Sequence, residues 1–198
     1  MTAIRNVFFF FLLISIFSCT GDSMYSTWTC AFAYDNGKHL DATLNTALQV
    51  NSPGIFCSVW EDVRGGKKKI FFRNNHGDAS EQWETAEEQK ADFVLGLNNG
   101  IVFGYANNMT DDFGNYVFVA YDLQCPNCVA STNNTFNPNF RISISSAGIG
   151  TCPKCTRRYD LNSSGQLIDA LSEDDKRHLE RYRRAFTAGP NSYVSVFR

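Results

Sequence analysis

Two short cysteine motifs constrain this chain more than any other feature of its sequence. The first is Cys125-Pro126-Asn127-Cys128 and the second is Cys152-Pro153-Lys154-Cys155, so each reads C-P-x-C. Two residues between cysteines let both sulfurs point at one centre from a tight turn, and a second such turn completes a tetrahedron. The pair of motifs therefore predicts a four-thiolate site for a metal ion or an iron–sulfur cluster.

The four thiols admit three interpretations. In the first they hold a [2Fe–2S] cluster, with two cysteines on each iron, and the protein transfers electrons. In the second they hold one Zn²⁺ or one rubredoxin-like iron in a closed tetrahedral site, which suits a structural or binding module. In the third they form disulfides that staple the two loops without a metal.

The first 18 residues predict an export signal rather than a part of the fold. Arg5 supplies a basic start, and residues 7–17 are almost entirely apolar but too few to span a bilayer. Residues 16–19 read I-F-S-C, which resembles a bacterial lipobox; the alternative is an ordinary cleaved signal with an incidental cysteine. On the lipobox interpretation Cys19 is lipidated and residues 19–26 form a tether. We therefore expect an exported protein, membrane-anchored through its lipid and facing the periplasm or the cell surface.

The remaining cysteines and the charge set further limits. Removing Cys19 from the seven cysteines leaves an even number, as expected for an exported protein. Cys30 and Cys57 lie outside the two motifs, and they form either a disulfide or two separately buried thiols, because the sequence does not give their Cα separation. The net charge of −2 and the lack of an extended basic segment predict no nucleic-acid partner.

Hydrophobic alternation and turn signals predict an all-β fold for residues 27–198, taken as one domain, with a metal-binding subdomain at about 121–165. Gly65 and Gly66 separate two alternating segments and predict a hairpin, and Gly189-Pro190-Asn191 predicts a second hairpin before the C-terminus. The predicted strands span residues 27–34, 55–62, 69–74, 93–97, 101–105, 116–123, 141–145, 157–161, 182–187 and 193–197. Residues 80–90 predict a polar surface turn of helix, and residues 172–175 predict a further helical turn.

The motif order resembles that of a Rieske domain. Residues 118–123 (F-V-A-Y-D-L) run directly into Cys125-Pro126, and the second cysteine loop is followed by Tyr159-Asp160-Leu161 and Gly165. The resemblance covers about residues 93–198, and the upstream part is similar to bacterial Rieske-like lipoproteins. It implies an antiparallel β-sandwich that carries a small two-knuckle subdomain like that of rubredoxins and zinc ribbons.

The resemblance breaks at the ligands. Rieske sites use C-x-H and C-x-x-H, whereas here neither loop contains histidine. By position Cys125 and Cys152 match the two cysteine ligands of the family, Cys155 stands where the second histidine would be, and Cys128 falls one residue past the first. His39, His76 and His178 are isolated and are more typical of structural or surface residues.

Motifs for catalysis are missing from the sequence. It contains no H-E-x-x-H segment, phosphate-binding loop or dinucleotide fingerprint. We therefore expect an electron carrier with a redox protein partner, or a binding module with a structural metal, rather than a catalyst.

Overall fold

The computed structural model describes residues 25–169 and 177–198. The predicted export signal, Cys19, most of the tether and the predicted helical turn at 172–175 lie outside these ranges. The strands are β1 (Ala31–Asp35), β2 (Phe56–Arg64), β3 (Lys67–Asn74), β4 (Ala79–Trp83), β5 (Ile101–Thr110), β6 (Tyr116–Asp122), β7 (Ser143–Ile144), β8 (Ile149–Thr151), β9 (Arg158–Asp160), β10 (Gln166–Leu167), β11 (Arg184–Thr187) and β12 (Tyr193–Phe197).

The helices are short and lie between strands. They are α1 (Asn36–His39), α2 (Ala42–Ala47), α3 (Ala86–Ala91) and α4 (Pro126–Thr132), with 3-10 turns at Pro138–Phe140 and Leu161–Ser163. Three of them begin with side-chain caps: Asp35 accepts from the Gly37 amide, Asp41 accepts from the Leu44 amide, and Thr85 forms a capping box with Glu88. Within the described residues, no helix has the length and apolar character needed to cross a membrane.

A five-stranded antiparallel sheet in the order β4-β3-β2-β5-β6 forms the centre of the molecule. Gly65 and Gly66 join β2 to β3 with φ of 58° and 76°, the conformation that a two-residue hairpin turn requires. Because side chains alternate along a strand, Cys57 and Val59 point to one face of β2, and Ser58 and Trp60 point to the other.

The first face of the central sheet is covered by the small sheet β1-β12-β11 and by α2. Phe32 and Tyr34 of β1 are fully buried there, and Phe32 meets Phe93 edge-on at 5.2 Å between ring centroids. Burial of each such ring contributes roughly 1.5–3 kcal/mol. This core therefore supplies much of the stability of the domain.

Among the described residues, the second face is covered mainly over β5 and β6. There Val102, Val119 and Tyr121 pack against the cysteine lobe, which we define as α4 with the four-stranded sheet β10-β9-β8-β7. Tyr121 also donates a hydrogen bond through its hydroxyl to the Leu161 carbonyl at 2.9 Å. In the part of the chain that the structure describes, the lobe also buries Phe56 at the start of β2 but leaves the rest of this face of β2 and β3 half-buried or exposed, which produces a step in the surface.

Asp122, at the end of β6, fixes the backbone that leads into the first cysteine pair. Its fully buried carboxylate accepts hydrogen bonds from the amides of Leu97 and Gln124 and from the hydroxyl of Tyr182, at 2.6–2.7 Å. Burial raises the pKa of this carboxyl to about 6. A β-carbon at Gly96 would lie 2.3 Å from the carboxylate, so only glycine fits beside it.

The predicted all-β class is confirmed, and so are the hairpins at Gly65-Gly66 and before the C-terminus. The predicted strand at 93–97 is wrong, because the backbone turns at Asp92 and Gly96, both with positive φ, and only Val94 forms a bridge, with Ala31. The helical prediction for residues 80–90 holds only for its second half. Its first half belongs to the edge strand β4, along which exposed and half-buried side chains alternate.

Candidate metal centre

The first cysteine pair lies where β6 passes into α4. Cys125 is the N-cap of the helix with extended backbone, Pro126 occupies the first helical position, and Cys128 follows in the first turn. Proline is favoured there because its fixed φ suits a helix start and its missing amide hydrogen would have no partner. The Cys125 side chain makes no capping hydrogen bond, so its sulfur is free to face the second loop.

The second pair forms the turn between β8 and β9. The Cys152 amide donates to the Arg157 carbonyl at 3.0 Å, and the Thr156 amide donates back to the Cys152 carbonyl at 2.9 Å. Thr156 has φ of 59°, which reverses the chain into β9. These contacts place Cys152 and Cys155 on the same side of a closed loop.

The two loops bring the four predicted ligands Cys125, Cys128, Cys152 and Cys155 together. Their Sγ atoms all lie within 4.8 Å of one another. The cross-loop distances are 3.6 Å from Cys125 to Cys155 and 3.7 Å from Cys128 to Cys152. A tetrahedron with zinc–sulfur bonds of 2.3 Å has an edge of about 3.8 Å, whereas a disulfide bond measures about 2.05 Å. The four thiols are therefore unbonded and spaced to hold a metal ion.

The centre is enclosed by apolar side chains. Cys125, Cys128 and Cys152 are buried, and Cys155 is half-buried. The surrounding cluster includes Phe140, Ile142, Val129, Leu161 and Leu179. A dry surrounding restricts solvent access and strengthens electrostatic interactions at the centre.

Tyr159 gives Cys125 its nearest polar partner. The buried Tyr159 hydroxyl lies 3.1 Å from the Cys125 sulfur, and it accepts a hydrogen bond from the Asn127 side chain at 2.9 Å. With its oxygen accepting from Asn127, the hydroxyl proton is free to be donated to the sulfur. This contact could not be predicted, because no local sequence pattern relates Tyr159 in β9 to a sulfur in the other loop.

Three of the thiols have pKa values displaced from the ordinary value of a cysteine. A hydrogen bond from Cys125 lowers the pKa of Cys152 to about 5, with help from the backbone amides of Lys154 and Cys155. The hydrogen bond to Cys152 and burial raise the pKa of Cys125, and burial raises that of Cys128 to about 12. Close negative charges oppose each other, so the full set of thiolates requires a bound cation.

The other predicted side chains lie away from this centre. The structure has Cys30 and Cys57 as free thiols buried in the first core, rather than as the disulfide considered above. Burial raises the pKa of both. His39 contacts Glu88 at 3.0 Å, and His178 accepts from the Leu167 amide at 3.1 Å. Among the described residues, neither these two nor His76 joins the cluster of four thiols.

Comparisons of the chain with protein-family models, with curated proteins and with solved structures gave no match. The geometry of the cysteine centre and the motifs of the sequence therefore carry the functional assignment.

Proposed function

We propose that this protein is an exported, lipid-anchored binding module whose four-cysteine centre holds one structural Zn²⁺. The separation of the four sulfurs carries the metal assignment, since all lie within 4.8 Å. In a [2Fe–2S] cluster the two cysteines on one iron are held away from the two on the other, because the iron–iron vector lies between the pairs. The compact set in this protein suits one ion better than two.

A single ion has a clear structural purpose at this position. Cys125 and Cys128 precede and begin α4, while Cys152 and Cys155 lie between β8 and β9, so one ion ties the two halves of the cysteine lobe together. With all four positions taken by protein sulfur, the ion has no open site for a substrate. It stabilises the lobe and performs no reaction.

The export signal and the lipid anchor at Cys19 are part of the proposal and rest on the sequence pattern alone. A metal acquired after export favours zinc, because assembly of a [2Fe–2S] cluster outside the cytoplasm is harder. The Rieske-like description is likewise supported by motif order, and under this proposal the scaffold carries zinc instead of a redox cluster.

Metal analysis with a visible spectrum tests the assignment. The protein is purified without oxygen from cells supplied with both iron and zinc. One zinc per chain and no absorption above 400 nm are expected. The Cys152→Ser variant should lose the zinc, and the Cys57→Ala variant, altered at a buried thiol outside the centre, should keep it. Two irons with acid-labile sulfide would instead establish a cluster and an electron carrier.

A further inference from the structure

A groove of about 410 Å³ lies at the step where the cysteine lobe meets the uncovered part of the central sheet. Its volume is within the range of small-molecule sites, roughly 300–1,000 Å³. One wall is formed by the outer face of β2 and β3, and the other by the segment that enters β7. The side chains used below are Ser58, Trp60, Arg73 and Arg141.

Arg141 is a fixed cation in the groove. Its Nη2 donates to the carbonyls of Asn98 and Asn99 at 2.9 and 2.7 Å, which holds the guanidinium in place. Within residues 25–169 and 177–198, no carboxylate forms an ion pair with it, and its Nε and Nη1 have no protein acceptor. Burial lowers its pKa, although the more distant Asp122 carboxylate opposes the shift. That carboxylate is already held by three donors of its own.

Arg73 supplies a second cation from the opposite wall. It lies on the outer face of β3, in register with Ser58 of β2, and its side chain is exposed. In the part of the chain that the structure describes, its guanidinium has neither an ion pair nor a side-chain hydrogen bond. The two arginines therefore bring positive charge into one groove with no acidic side chain among its lining residues.

Trp60 adds a flat apolar surface beside these charges. It is half-buried and stacks on Phe71 of the neighbouring strand, with ring centroids 5.5 Å apart and planes inclined by 10°. This packing fixes the orientation of the indole before any ligand arrives, which lowers the entropic cost of binding.

We propose that this groove binds a small ring-shaped molecule carrying an oxyanion, with the guanidinium groups of Arg73 and Arg141 on the anion and Trp60 against the ring. Guanidinium groups pair with carboxylate and phosphate oxygens in bidentate geometry. The remaining donors of Arg141 are already oriented, so binding neutralises a half-desolvated cation to which no carboxylate among the described residues is paired. The inference identifies what the proposed binding module binds, and it depends on the metal only for the position of the lobe wall.

Calorimetric titration of the purified protein tests the proposal, with glucuronate and glucose 6-phosphate as carboxylate and phosphate probes and with glucose as the neutral probe. At least one anionic probe should bind, and glucose should bind at least tenfold more weakly, since hydrogen bonds to charged groups carry the difference. Whichever anion binds tighter identifies the oxyanion. Equal binding of glucose and both anions, or of none of the three, would overturn the proposal.

Arginine variants locate the binding. Arg73→Gln should weaken binding of the anionic probe at least tenfold without affecting the fold, because its guanidinium forms no ion pair or hydrogen bond among the described residues. Arg184→Gln, at an exposed arginine of β11 outside the groove, is the matched control and should bind as the unaltered protein does. Arg141→Gln should also weaken binding, and its melting temperature reports whether the contacts to Asn98 and Asn99 were needed for folding. Equal affinities of the Arg73 and Arg184 variants would refute the site.

The zinc content of each preparation separates the two proposals. Charge-selective binding that depends on Arg73, in a protein with no zinc, would retain the groove and reject the structural zinc. A protein with one zinc and no charge-selective binding would retain the metal centre and reject the groove.

Discussion

Replacement of Cys152 by Ser should remove the cross-link that the metal makes between the two loops. Cys152 is fully buried and, in the proposed site, is one of four ligands, so the change removes a thiolate while keeping the size of the side chain similar. Three buried thiols hold zinc much less tightly than four, because the vacated position must be filled by water or serine.

The cost follows from the length of the loop that the metal closes. A cross-link from Cys125 to Cys152 closes a loop of about 28 residues, for which the chain-entropy relation gives about 3.6 kcal/mol. For a chain of this size each 1 kcal/mol lowers the melting temperature by about 2–4 °C. We therefore expect the melting temperature to fall by about 7–14 °C. The cysteine lobe should lose its structure before the core between the central sheet and the small sheet β1-β12-β11 does.

Thermal unfolding followed by circular dichroism measures this change, with zinc present and with a chelator. The unaltered protein should melt near the temperature of Cys152→Ser once zinc is removed, and zinc should have no effect on the variant. Cys57→Ala is the control: it loses some stability because Cys57 is buried, yet it should keep the full response to zinc. A melting temperature of the unaltered protein that does not depend on the chelator would refute the reasoning.

Three further predictions test particular contacts. Tyr159→Phe should reduce zinc affinity by about 10–100-fold with the fold retained, because it removes the hydroxyl beside the Cys125 sulfur. Chelator competition measures the affinity, and an unchanged value would show that the hydroxyl does not support metal binding. Burial, together with nearby Glu61, raises the pKa of Glu84 to about 8, so the native state holds this proton more tightly than the unfolded chain. The free energy of unfolding should therefore fall as the pH rises from about 4.5 to 8, and urea titrations of Glu84→Gln should lack this part of the fall. Gly96→Ala should cost about 2–4 kcal/mol in the same assay, since its β-carbon meets a buried carboxylate, whereas Gly65→Ala, with positive φ but open space, should cost clearly less.

The cysteine centre was predictable because its signal is local. A C-P-x-C segment specifies its own turn, and two such turns together supply the four sulfur ligands that a tetrahedral metal ion requires. The sequence could not decide between a cluster, a single ion and disulfides, because that choice depends on the distances between sulfurs from different loops. The position of Cys155 opposite Cys125, at 3.6 Å, is a property of the folded lobe.

The hairpins were predictable for a similar reason, since Gly65-Gly66 fixes a turn between two alternating segments. Predictions failed where a distant contact overrides local pattern. Residues 93–97 have the apolar character of a strand. The segment is nevertheless a loop, because the Leu97 amide donates to the Asp122 carboxylate and the backbone turns at Gly96 beside that carboxylate. Edge strand β4 was missed because its polar residues read as a surface helix until pairing with β3 is known.

The sequence by itself therefore determined the all-β class, the identity of the four cysteines that come together and the two glycine-containing hairpin turns, all of which depend on residues close together in the chain. Tertiary structure alone decided that the sulfurs surround one point, that Tyr159 contacts Cys125, and that Arg73 and Arg141 face one groove. The physical reason is that these relations join elements far apart in sequence. Their geometry is set by how the cysteine lobe packs over half of the central sheet, and no short-range pattern encodes that packing.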